Sequence, residues 1–174
     1  MAKLVTPSTE LQEAYMIFYQ EWIASGEDIV PWVVSVDPSD FDAYVRDLNE
    51  AYLEEKVQEG WVPGSTYWLL DEACKVVGAV NIRHRLNQKL LESGGHIGYG
   101  VIPSERRKGY ASQILAQALQ KTDALGIREV LVCCDEGNIG SERTILGCGG
   151  QYESSFTEAH GNVVKRFWIT RSGS

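Results

Sequence analysis

Residues 95–111 read Gly-His-Ile-Gly-Tyr-Gly-Val-Ile-Pro-Ser-Glu-Arg-Arg-Lys-Gly-Tyr-Ala. An apolar strand, His96 to Ile102, passes through a basic, glycine-bearing turn into an amphipathic helix. The helix follows from periodicity: Ala111, Ile114, Leu115, Ala118, Thr122 and Leu125 recur on a 3.6-residue period, and Gly126 stops it. A helix start offers backbone N–H groups without internal partners and about half a positive charge, so it holds an anion if side chains stay clear. Gly109 keeps that space open, which makes the turn a candidate pyrophosphate cradle. Gly98 and Gly100 are dense for a buried strand and mark a bulge or a close backbone approach.

Other phosphate motifs fit worse. No Gly-x-x-x-x-Gly-Lys-Ser/Thr is present, and Gly98-Tyr-Gly100 runs on to Pro103 where a dinucleotide fingerprint needs glycine. Downstream, Arg128 to Cys134 reads as a buried strand, and Asp135 to Gly147 as a polar turn into a second helix. Arg106, Arg107, Lys108, Gly109, Tyr110 and Ala111 resemble the Arg/Gln-x-x-Gly-x-Gly/Ala signature by which the GNAT superfamily of N-acetyltransferases grips the pyrophosphate of acetyl-coenzyme A. The likeness extends from about Trp68 through Trp168, and His96 to Gly150 looks like a group of predicted bacterial acetyltransferases.

That resemblance implies a single α/β domain over residues 1–174, with a mixed, mostly antiparallel sheet of six or seven strands flanked by about four helices. It implies acetyl-coenzyme A as co-substrate, bound where two central strands splay, and no metal. Arg106, Arg107, Lys108, Gly109, Tyr110 and Ala111 would hold the pyrophosphate. Tyr99, Val101 and Ile102 would give main-chain contacts to the pantetheine, and Asn138 and Ser141 would lie beside it on the second helix. The expected reaction is direct acetyl transfer to a primary amine, on a small molecule or a peptide. An acyl-cysteine route through Cys134, a non-catalytic acyl-coenzyme A sensor, and a binding module that retains only the fold are the alternatives.

An alkylammonium with a pKa near 10.4 is not nucleophilic until it loses a proton, so the site needs a base, a water chain or desolvation. His96 is the first candidate base because it can titrate near pH 7, followed by Tyr99, His84 and Glu72. Many family members place a Tyr seven residues after the Asn to protonate the leaving thiolate. Here that position is Ile145, and the usual closing Gly-Phe is Gly149-Gly150. Ser141, another hydroxyl or a water then takes the acid's place, or the thiolate leaves unaided. Arg83-His-Arg85 is either a solvated face or a contact for an acidic group of the acceptor.

Composition fits a compact enzyme: 174 residues, 44% apolar, net charge −8. Residues 1–80 carry 15 acidic and 4 basic side chains, and residues 81–174 carry 9 and 12. The basic half suits a phosphorylated ligand, the acidic half a cationic amine, and neither suits nucleic acid. Asp37, Asp40, Asp42, Asp47, Glu50, Glu54 and Glu55 either attract that amine or solvate a helix. The longest apolar run, Ile29 to Val34, is far short of the roughly 20 residues of a membrane span, and no signal-peptide region is evident, so a cytoplasmic protein without membrane contact is expected. Cys74, Cys133, Cys134 and Cys148 lack metal or disulfide spacing and read as reduced thiols.

Elsewhere, Lys3 to Val5 reads as a strand, Glu10 to Ser25 as a helix ended by Gly26, and Pro38 or Ser39 to Gln58 as a second helix. Ser65 to Asp71 and Val76 to Arg85 form a hairpin. Gln151 to Thr157 and Val163 to Thr170 form another, whose edge is available for a homodimer. Aromatic residues crowd the first third, and Trp32 and Trp61, beside Pro31 and Pro63, are the candidate walls of an acceptor pocket.

Overall fold

In the computed structural model, which describes residues 1–172, the apolar periodicities become helices laid on both faces of one seven-stranded sheet. In chain order the elements are β1 (Lys3–Val5), α1 (Gln12–Ser25), α2 (Phe41–Glu50), β2 (Gly64–Leu70), β3 (Val76–Arg83) and β4 (Ile97–Val101). Then come α3 (Tyr110–Ala124), β5 (Glu129–Asp135), α4 (Ile139–Gly147), β6 (Gln151–Thr157) and β7 (Val163–Thr170). The strand order is β1-β2-β3-β4-β5-β7-β6, and every neighbouring pair is antiparallel except β4 with β5.

Period-2 alternation sends side chains to two separate cores. Val80, Ile82 and Ile97 pack with Ile114 and Leu115 of α3 and Ile145 of α4 on one face. Trp68 and Ala79 pack with Tyr15, Phe18 and Trp22 of α1 and Phe41 and Tyr44 of α2 on the other. The first-third aromatics are thus mostly core: Tyr15 stacks on Trp68 at 4.3 Å between ring centroids, and its hydroxyl lies 2.6 Å from that of Tyr44.

The second helix is shorter than its predicted extent. It stops at Glu50 because, past Leu48, residues 52–59 offer no apolar stripe to bury, and the Ala51 carbonyl accepts the Gly64 N–H as the chain turns back. Asp40 begins it by accepting the Ala43 N–H, a side-chain cap.

The feature that makes a site is the β4/β5 pair. Its ladder is a single residue pair, Ile97 with Val132, whereas β5 and β7 pair continuously from Glu129–Thr170 to Asp135–Val164. Beyond Ile97 the two central strands therefore diverge. His96 pins the closed end: its N–H donates to the Leu131 carbonyl at 2.7 Å, and its Nδ1 accepts the Leu131 N–H at 2.9 Å.

Candidate active site

The open end of the splay leads into a cleft of about 550 Å³, within the usual range for small-ligand sites. Its walls are β4, the turn before α3, the start of α4 and the segment that follows α1. Gly109 stands at the N-terminus of α3 with φ +86°, a left-handed conformation in which glycine carries no side-chain penalty. It makes no side-chain cap, and the first intrahelical bond runs from Gln113 N–H to the Gly109 carbonyl. The N–H groups of Tyr110, Ala111 and Ser112 therefore lack intrahelical partners, and all three residues line the cleft. A Cβ at Gly109 would meet no protein atom within 4 Å, so this corner is open.

The basic side chains at the turn differ in use. Arg106 donates from Nε to the Val101 carbonyl at 3.1 Å, pairs with Glu27 at 2.9 Å and lies over the Trp22 ring. Arg107 lines the cleft at φ +64° and is exposed. Lys108 reaches buried Glu105 at 2.9 Å, beside Lys75 on the same carboxylate, and does not line the cleft. Both lysines hold the Glu105 carboxyl below its ordinary pKa.

Tyr99 and Ser141 meet across the open end, with hydroxyl oxygens 3.0 Å apart. Burial pushes the Tyr99 phenol up to about 12, although the Ser141 hydrogen bond works the other way. Asn138 caps α4 by accepting the Ser141 N–H at 3.1 Å, which fixes Ser141 at the first turn of the helix. The cleft adjoins, at Val30, Tyr99, Asn138 and Ser141, a second cavity of about 280 Å³ lined by Arg83, Gly98 and Asp135.

With these elements in place, the sequence can be set beside known proteins. Residues 5–151 match the family model of the acetyltransferase (GNAT) domain. The chain belongs to that family. No curated protein matches it in sequence. Among solved structures, the microcin C7 self-immunity acetyltransferase MccE, in complex with acetyl-CoA and AMP, is 18% identical with a TM-score of 0.69, covering 97% of this chain and 92% of that one. Mutant forms of the spermidine/spermine N-acetyltransferase SpeG from Vibrio cholerae are 15% identical with a TM-score of 0.64, covering 98% and 95%. At these identities the likeness is one of fold.

Against the expectations from sequence, five residues lie elsewhere. Lys108 is committed to Glu105, as above. Ile102 is fully buried and its N–H donates to the Val77 carbonyl at 3.0 Å, so the residues of this stretch that line the cleft are Tyr99, Gly100 and Val101. His96 is buried away from the cleft; burial, helped by the Arg83 charge, lowers its pKa to about 4, not the neighbourhood of 7. His84 is bound to Ser65 at 2.7 Å, and Glu72 pairs with the chain's N-terminal ammonium, so neither lines the cleft. Cys134 borders the smaller cavity, where burial pushes its thiol up to about 11, and a protonated thiol is a poor nucleophile.

The glycines of β4 have close neighbours instead of a bulge. A Cβ at Gly100 would lie 2.3 Å from the Val30 carbonyl oxygen, and one at Gly98 about 3 Å from the Arg83 guanidinium. Gly100 thereby lets the segment after α1 cross β4, which is how Trp22, Glu27, Asp28 and Val30 become walls of the cleft. Of these four, only Trp22 gave a sequence signal, as one of the aromatic residues crowding the first third. Trp32 and Trp61 do pair, ring centroids 5.1 Å apart, and line a hollow of about 560 Å³ beside α2. The acids of that hollow are largely used locally: Asp40 caps α2, Asp37 holds Ser39 and Glu50 pairs with Lys56.

Proposed function

We propose that the protein transfers the acetyl group of acetyl-coenzyme A to a primary amine by direct attack within a ternary complex. The observation that carries this is the uncapped N-terminus of a 15-residue helix opening on an unobstructed corner beside the strand splay. The N–H groups of Tyr110, Ala111 and Ser112 suit the diphosphate, with Arg106 and Arg107 adding charge. Main-chain groups of Tyr99 to Val101 and the Asn138 side chain suit the pantetheine arm, and Tyr99 and Ser141 then stand near the thioester. The coenzyme supplies the activated acetyl; the protein orients it and excludes water.

In the transfer the amine nitrogen bonds to the carbonyl carbon, the carbon–sulfur bond breaks, and the proton lost by the amine neutralises the thiolate. A phenol near 12 is a weaker acid than a thiol near 8.5, so Tyr99 does not surrender its proton. With Ser141 it instead donates a hydrogen bond to the departing sulfur. This answers the missing Tyr: Ile145, fully buried on the inner face of α4, leaves the donor role to a phenol on β4.

The test is stabilisation by acetyl-coenzyme A followed by thiol release with a panel of amines. A ligand at a hundredfold excess over Kd adds about 2.7 kcal/mol. A rise in Tm with thiol release supports the enzyme. A rise without release from any amine leaves a sensor, and an unmoved Tm leaves a domain that keeps only the fold.

A further inference from the structure

On the acceptor side of the splay lies a cation that the fold does not neutralise. Arg83 ends β3 with its guanidinium packed over Gly98, where a Cβ would sit 3.1 Å from Nη1 and 3.2 Å from Nη2. The absence of a side chain at 98 is what admits it. Its hydrogen bonds are two long ones, from Nη1 to the carbonyls of Gly94 at 3.3 Å and Gly95 at 3.5 Å. The ion pairs of the described residues engage Arg85, Arg106, Arg166 and Arg171, but not Arg83. A guanidinium keeps its charge at every physiological pH, and partial burial without a counter-ion is costly.

The cavity that this group faces, about 280 Å³, joins the cleft at Tyr99 and Ser141. Asp135 and Trp32 also line it. An amine that reaches the thioester from this side must pass the guanidinium. We infer that the acceptor carries a carboxylate close to its amine, gripped by Arg83, with Asp135 across the same cavity complementing the ammonium. Arg83 presents a planar fork of donors that matches a carboxylate, and only Nη1 is engaged by the backbone. The volume suits a small amino acid-like molecule. This rests on the proposed transfer and narrows its substrate class.

The experiment measures thiol release from matched pairs: L-phenylalanine and phenethylamine, L-methionine and 3-methylthiopropylamine, L-lysine and cadaverine. The acid member of at least one pair is expected to react faster than its decarboxylated partner. In Arg83→Gln that ratio of kcat/KM falls by about 10- to 100-fold, the scale of a hydrogen bond to a charged group, and Arg83→Lys restores part of it. A purely structural role, through the Gly94 and Gly95 carbonyls, would depress both members alike and leave the ratio unmoved, which overturns the inference. So does release only from amines without a carboxylate, or from no acid-bearing amine while acetyl-coenzyme A still raises Tm. If acetyl-coenzyme A leaves Tm unchanged, the transfer reading fails first, and this one with it.

Discussion

The two sides of the β4/β5 splay are made of different materials. On the side of α3, the site is mostly main chain: a left-handed Gly109, three unpartnered N–H groups and an extended strand. On the side of α1, it is mostly side chain: a guanidinium, a carboxylate and an indole drawn from β3, β5 and the segment after α1. A site built from backbone depends on conformation and is spoiled by what is added. A site built from side chains depends on identity and is spoiled by what is removed.

The sharpest way to break that contrast is Gly109→Glu. The substitution places a side chain where φ is +86° and an anion at the helix start proposed to receive the diphosphate. Loss of the acetyl-coenzyme A shift, about 2.7 kcal/mol at a hundredfold excess, is expected. A retained shift would mean that the cradle lies elsewhere.

His96 joins the two halves, and its prediction concerns pH. Its folded pKa, about 4, lies below the unfolded value near 6.5, so folding favours the neutral ring whose Nδ1 accepts the Leu131 N–H. The stability this contributes is fully present above pH 6.5 and is lost as pH falls toward 4, about 3 kcal/mol across that window. His96→Gln keeps an acceptor that does not titrate. Denaturant unfolding of both proteins between pH 7 and 4 should show a flatter acid limb in the mutant, and parallel limbs would refute the pin.

Tyr99→Phe tests the side chain proposed to face the thioester on the coenzyme side. Removing a hydrogen bond to a charged leaving group lowers kcat by about 10- to 100-fold with little change in the KM for acetyl-coenzyme A. Because the phenol titrates only near 12, the wild-type kcat profile should carry no descending limb from Tyr99 below pH 10. An unchanged kcat in the mutant would leave Ser141 or solvent as the donor.

The same contrast explains what the sequence disclosed. Gly109, the basic run before it and the stripe from Ala111 to Leu125 are local, so the helix and the open turn that starts it were legible within twenty residues. The hairpins and the order of helices were legible because alternation and periodicity are local too. The role of His96 was not, because its hydrogen-bond partner, Leu131, is 35 residues away and the burial that lowers its pKa exists only in the fold. The same is true of Gly100, where sequence leaves a bulge and a close backbone approach equally open until the Val30 carbonyl is placed against it, and of Arg83, whose lack of a counter-ion is a fact of three-dimensional surroundings.

The smallest expected effect bears on the one place where the two materials mix. Arg106 belongs to the cradle by sequence, yet Glu27, from the segment after α1, holds its guanidinium at 2.9 Å. Both side chains are partly exposed, 42% and 49%, and such pairs are worth about 0.2–1 kcal/mol. Glu27→Gln removes a negative charge from the rim of the proposed diphosphate site, while Val101 and Trp22 continue to hold Arg106 in position. Isothermal titration with acetyl-coenzyme A should therefore show binding tightened by about two- to fivefold, more so at low salt. Weaker binding would mean that Glu27 positions Arg106 for the phosphates, and the cradle would then depend on side-chain identity as the acceptor side does.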